Sequence, residues 1–112
     1  MTVHLINSAM IPKPGNYRMF EITEKDFMQT VNHFHRMGVL RSYIGYEQNA
    51  RYIYEKSGVP VAINRDVADP QPGDKMLIMK LDYRPEAGAK GTAVDESRFK
   101  FYLCHYGEYG EN

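Results

Sequence analysis

The chain has 112 residues, the size of one ordinary domain, and its 14 Lys and Arg balance 14 Asp and Glu. Zero formal charge without a basic run excludes the broad phosphate grip of a duplex-binding surface, and the single cysteine, Cys104, excludes an internal disulfide. No apolar stretch approaches the ~20 residues of a membrane helix.

The N-terminus lacks the basic and long apolar regions of a signal peptide, so a cytoplasmic protein is expected, in the host cytoplasm if the source is viral. The compositional excess is aromatic, with nine Tyr, five Phe and no Trp. A tyrosine closes a core or a subunit contact while leaving its hydroxyl in water.

In chain order, alternation around Val3 and Leu5 predicts a first strand over residues 2–7. Pro12, Pro14, Gly15 and Asn16 form a turn cluster, and residues 17–22 read as a second strand. Thr23 is the expected N-cap of a helix whose apolar face carries Phe27, Met28, Val31, Phe34 and Met37 and which stops at Gly38. A second helix follows, with Tyr46, Ala50, Ile53 and Tyr54 on one stripe and Ser57-Gly58 at its end. Residues 59–63 read as a short strand, and 69–74 as a turn. Met76 opens an apolar strand suited to the centre of a sheet. A Gly- and Ala-rich loop over 85–93 leads to a last aromatic strand over 99–106. The expected fold class is α+β, one domain with an approximately five-stranded mixed sheet and two main helices on one face.

The four histidines offer no metal-ligand set. His33 and His35 are two apart on a helix and point to different faces. His4 and His105 fall on terminal strands, where adjacency is one arrangement and two separate structural histidines the other, favoured one. Cys104 reads as a small buried apolar residue.

Residues 42–49 are more promising. Gly45 just before a helix permits close approach of a ligand, and the free N–H groups of the helix start favour an anion. A plain strand-to-helix turn is the competing reading. Arg65 and Arg84 each end a predicted strand, and an arginine fork there holds a phosphate bidentately.

Several segments in order resemble one family: Leu5-Ile6-Asn7-Ser8-Ala9, Ile44-Gly45-Tyr46-Glu47, Asn64-Arg65, Gly73-Asp74 before an apolar strand, and Arg84-Pro85-Glu86. The sequence is similar to the viral ring nucleases, or type III anti-CRISPR proteins, over residues 3–106. The resemblance implies a single ring-nuclease-like domain over 1–106 with a flexible tail over 107–112. It further implies a two-fold homodimer, or higher homo-oligomer, that binds a cyclic oligoadenylate across its interface and cleaves it without metal or cofactor.

The family's general acid is a histidine directly after the Ile-Gly pair, and here that position is Tyr46. A phenol with pKa ~10 is a poorer proton donor at neutral pH than an imidazole near ~6.5. Glu86 keeps one carboxylate after the second arginine, while Ala87 fills the next place. These departures fall on chemistry more than on binding.

The leading expectation is therefore a viral or prophage sponge that sequesters a cyclic nucleotide messenger of bacterial immunity, whether a cyclic oligoadenylate, another cyclic oligonucleotide or a cyclic ADP-ribose variant. Asn7, Ser8, Gly45, Gln48, Arg65, Arg84 and Glu86 would contact phosphates and sugars, with Tyr43 and Tyr46 packing on a base. The alternatives are a metal-independent ring nuclease with Tyr46 as a weaker acid, and a protein–protein inhibitor with no nucleotide affinity.

Overall fold

The computed structural model describes residues 1–7, 14–82 and 95–107. Its strands are β1 (Val3–Ile6), β2 (Asn16–Ile22), β3 (Leu40–Tyr43), β4 (Lys75–Leu81) and β5 (Phe99–Gly107), with helices α1 (Glu24–Arg36) and α2 (Glu47–Ser57). They build one mixed sheet in the order β2-β5-β4-β1-β3. β1 runs parallel to both neighbours, β3 and β4. β5 runs antiparallel to β4 and to β2. This is the α+β architecture expected from the sequence, and no helix among the described residues is long and apolar enough to cross a membrane.

α1 begins where Thr23 Oγ1 accepts the Asp26 N–H at 3.1 Å. α2 ends at Gly58, whose left-handed φ of 78° suits glycine. Both helices cover one face of the sheet. Phe27, Met28 and Val31 of α1 and Ala50, Tyr52 and Ile53 of α2 pack on Val3, Leu5, Leu77, Met79, Phe99 and Phe101. The opposite face carries a second buried group of Ile6, Met76, Ile78, Cys104 and Tyr106. β4 is thus apolar on both faces, as its run of residues predicts. Burial raises the Cys104 thiol pKa, which leaves it an inert apolar filler.

Three expectations need correction. Residues 59–63 form no strand; Ile63 makes a single parallel bridge to Ile44, because side-chain bonds rather than a ladder tie this segment down. Met37 caps α1 in solvent instead of closing its apolar face. On α2, Tyr52 rather than Tyr54 is buried, since Tyr52 points toward α1, packs on Phe99 and donates its hydroxyl hydrogen bond to Glu24. Burial and that bond push the Tyr52 phenol pKa well up. His4 and His105 are separate, as favoured from the sequence, because β4 lies between their strands and the register pairs them with Met76 and Lys75 respectively.

His4 is instead committed to Asp74. The Asp74 carboxylate lies just before β4 and accepts from the Thr2 N–H at 2.9 Å, the Gln71 N–H at 2.9 Å and His4 Nε2 at 3.0 Å. Burial alone would raise the Asp74 pKa, but these three donors together hold it below the usual carboxylate range. A carboxyl with a depressed folded pKa adds stability that is present above its unfolded value and is lost as pH falls through the folded one. Replacing Asp74 by Asn is therefore expected to cost ~2–4 kcal/mol at pH 7, because it puts an amide among buried donors. The difference from the unaltered protein should shrink at about pH 3, where the carboxyl itself begins to protonate. Urea unfolding at the two pH values reads both effects.

Candidate functional site

The parallel strands β1 and β3 end side by side, with Ile6 opposite Tyr43. Beyond them the chain turns through Ile44 and Gly45 into α2, so the start of this helix stands at the carboxyl edge of the parallel strands, where open sheets bind ligands. Tyr46 takes the N-cap position with an extended backbone, φ −126° and ψ 129°. Its carbonyl accepts from the Asn49 and Ala50 N–H groups at 3.1 Å, but its side chain makes no capping bond. A phenol hydroxyl is too far from its own backbone to do what Thr23 does for α1. The first N–H groups of α2 are thus left without a side-chain cap, with the positive end of the helix dipole behind them.

A second segment is tied to this turn by hydrogen bonds. Ser42 Oγ donates to the Ala62 carbonyl at 2.6 Å and accepts from the Ile44 N–H at 3.2 Å. The Asn64 N–H donates to the Ile44 carbonyl at 2.9 Å. Its Nδ2 donates to the Ser42 carbonyl at 3.1 Å, and its Oδ1 accepts from the Asp66 N–H at 2.9 Å.

Asn64 therefore sets the next residue, Arg65, against Gly45. Arg65 Nε donates to the Gly45 carbonyl at 3.0 Å, and its guanidinium carbon stands 6.0 Å from the centre of the Tyr46 ring. A Cβ at Gly45 would lie 3.4 Å from Arg65 Cγ. That is ordinary van der Waals distance, and the Gly45 backbone is not left-handed, so neither space nor φ by itself demands glycine here.

The structure accordingly brings together three of the sequence-derived residues, Gly45, Tyr46 and Arg65. Gln48 follows in the first turn of α2, and Asn7 leaves the neighbouring end of β1. Tyr43 is placed differently. Its ring packs against His4, 5.7 Å between centroids, beside the buried group on the face away from the helices. Ser8, Arg84 and Glu86 lie outside the described residues. Spacing gave no sign of the bonds from Ser42 and Asn64, nor of two non-local histidine contacts, His4 to Asp74 and His105 to Lys75.

In chemical terms, the Arg65 side chain spends Nε on Gly45 and has no protein partner for its terminal nitrogens among the described residues. An aromatic face, a fixed guanidinium and uncapped N–H groups make a cradle for a phosphate beside a flat ring. A groove of about 660 Å³ between α1 and α2, lined by Glu24, Lys25, Asn32, Arg36 and Lys56 among others, contains none of these residues.

A family model described as STIV B116-like matches residues 3–103. "Uncharacterized protein YddF" of Bacillus subtilis (strain 168) is 26% identical over 105 residues, which span 92% of this chain and 95% of that protein. The solved structure of B116 of Sulfolobus turreted icosahedral virus matches with a TM-score of 0.77 and 20% identity, over 94% of this chain and 99% of that one. The last similarity is one of fold.

The geometry makes Asn64 the residue that positions Arg65. Asn64→Ala removes two side-chain hydrogen bonds and is expected to cost ~1–3 kcal/mol of unfolding free energy. Chemical denaturation measures that cost. The amide resonances of Gly45 and Asp66 should shift in the same variant while those of the β2–β5 pair stay in place.

Proposed function

The chain belongs to the STIV B116-like family, and from that premise we propose that it binds and sequesters a cyclic nucleotide second messenger, so blocking a bacterial immune signal. One observation carries this reading. Arg65 is pinned through Nε to the Gly45 carbonyl beside the Tyr46 ring, near the uncapped start of α2, with no partner for its terminal nitrogens among the described residues. A guanidinium held in this way loses little further entropy when it grips a phosphate.

The resemblance to viral ring nucleases supports the same ligand class and names what the family uses for chemistry. The histidine that serves there as general acid is Tyr46 here, and among the described residues no imidazole takes part in the Gly45–Tyr46–Arg65 arrangement. Binding groups remain and the matched acid does not, which favours sequestration over cleavage. In this reading a two-fold homodimer presents two copies of the cradle to one symmetric ring. The resemblance assigns Ser8, Arg84 and Glu86, outside the described residues, to the same ligand, and the protein works in the cytoplasm of the infected host cell.

The ligands to try are cyclic tetra-adenylate and a cyclic ADP-ribose isomer, added to the purified protein in a titration calorimeter. One of them is expected to bind, to be recovered intact after heat extraction, and to lose affinity by roughly 10- to 100-fold on Arg65→Ala. That range corresponds to a charged hydrogen-bond pair of ~1.5–3 kcal/mol. Linear products from cyclic tetra-adenylate would transfer the assignment to a metal-independent ring nuclease with Tyr46 as the acid. The absence of heat with either ligand, together with no nucleotide carried by protein drawn from defence-active cells, would overturn nucleotide binding altogether.

A further inference from the structure

A second group of cations lies on another part of the sheet. Arg18 of β2 is the cross-strand partner of His105 on β5, and His105 is in turn the partner of Lys75 on β4. Side chains in register across a sheet project from the same face, so the three basic residues form one row. Lys75 Nζ stands 3.0 Å from His105 Nδ1. An ammonium has only donors, so Lys75 donates, Nδ1 accepts, and the neutral ring carries its hydrogen on Nε2.

Burial first, then the charges of Lys75 and Arg18, push the His105 pKa below its ordinary value. Phe20, two residues along β2, is exposed and meets the imidazole edge-on at 6.0 Å, which steadies the ring. Among the described residues no carboxylate pairs with Arg18 or Lys75. A hydrogen bond between two basic side chains, with a third cation in register and no counter-charge among the described residues, is unusual in a chain whose charges balance overall.

We infer that the row Arg18–His105–Lys75 is a binding site for a phosphate-class oxyanion, separate from the Gly45–Arg65 cradle. An incoming oxyanion takes the ammonium hydrogens that Lys75 does not spend on His105 and the guanidinium of Arg18, and it supplies the missing negative charge. It also offsets the Lys75 and Arg18 charges that disfavour the imidazolium; on protonation Nδ1 ceases to accept and Lys75 turns all its hydrogens to the anion, so binding and protonation of His105 favour one another.

The test is a proton-detected NMR titration of the histidine rings of the full chain, with pyrophosphate as the probe against sodium chloride of equal ionic strength. His105→Gln identifies the resonance. Pyrophosphate is expected to shift that resonance saturably and to raise its apparent pKa, while the exposed His33 and His35 rings do not follow. Arg18→Ala and Lys75→Gln are each expected to weaken the binding about tenfold, the size of one charge-assisted hydrogen bond. Both positions are at least partly exposed, and a preserved amide spectrum establishes that each variant is folded. Arg65→Ala should leave the pyrophosphate response unchanged, which separates this site from the proposed messenger site. The inference is overturned if the His105 resonance moves no more with pyrophosphate than with chloride, or if its response survives in the Arg18→Ala, Lys75→Gln double variant.

Discussion

Strand β1 has no exposed face, and the rest of the sheet takes its register from it. Val3 and Leu5 lie in the helix-side core, His4 and Ile6 in the layer on the other side, and all four are buried. Both edges are paired as well, to β3 and β4. A four-residue strand enclosed in this way leaves one awkward group, the His4 imidazole. Asp74 resolves half of the difficulty by accepting from Nε2 and from the backbone of Thr2 and Gln71, which clamps the start of β1 to the turn before β4. Nδ1 is left buried without a partner among the described residues. A one-residue slip would exchange the faces of β1, put the imidazole into the helix-side core and strand the Asp74 carboxylate. The polar pair therefore selects the register that the apolar residues alone specify less sharply.

That register carries the candidate site. With β1 and β3 parallel and level, Asn7 and the Ile44–Gly45 turn leave the sheet at the same edge. The chain must then rise into α2 on the helix side, and the residue at the bend becomes the N-cap. A tyrosine is a poor choice for capping. Thr23 shows that this chain caps α1 in the ordinary way, so the uncapped start of α2 is a local departure from good helix design. Departures of this kind are expected where binding, rather than stability, determines the residue. The returning segment over 62–66 reaches the same edge without joining the ladder, because the side chains of Ser42 and Asn64 do the pairing. The guanidinium is held by a loop that side chains secure to rigid elements.

Much of this was legible in the sequence. The capped α1, the glycine stop of α2 and the apolar run of β4 follow from local signals that tertiary packing did not overrule. Arg65 is expected near the Gly45 turn as the end of a strand over 59–63; it does stand against Gly45, but the side chains of Ser42 and Asn64, not a strand, bring it there. What the sequence hid is non-local. Residues 59–63 are β-branched and apolar enough for a strand, yet side-chain bonds take the place of a ladder there. Tyr52 and Tyr54 are equally plausible on a helical stripe, and only the position of α1, which brings Glu24 and Phe99 to one side, decides between them. His4 and Asp74 are 70 residues apart, and His105 and Lys75 are 30 apart, separations at which no periodicity or motif speaks.

The balance of charge takes on a different meaning once these positions are known. Fourteen cations against fourteen anions suggested a surface without strong fields. In the fold, several cations are neutralised by near neighbours, such as Arg98 by Asp82 and Arg51 by Glu47, and contribute little beyond solubility. Among the described residues, Arg65 and the row of Arg18 and Lys75 around His105 are not neutralised in this way. They also stand at opposite ends of the sheet. Arg65 lies near the carboxyl ends of β1 and β3, whereas Lys75 opens β4 beside Val3 at the amino end of β1. Charges separated in this way and screened by salt act as independent sites. A neutral chain can therefore lack affinity for a long polyanion, which needs a continuous basic track, and still hold small anions in local cradles built from fixed donors.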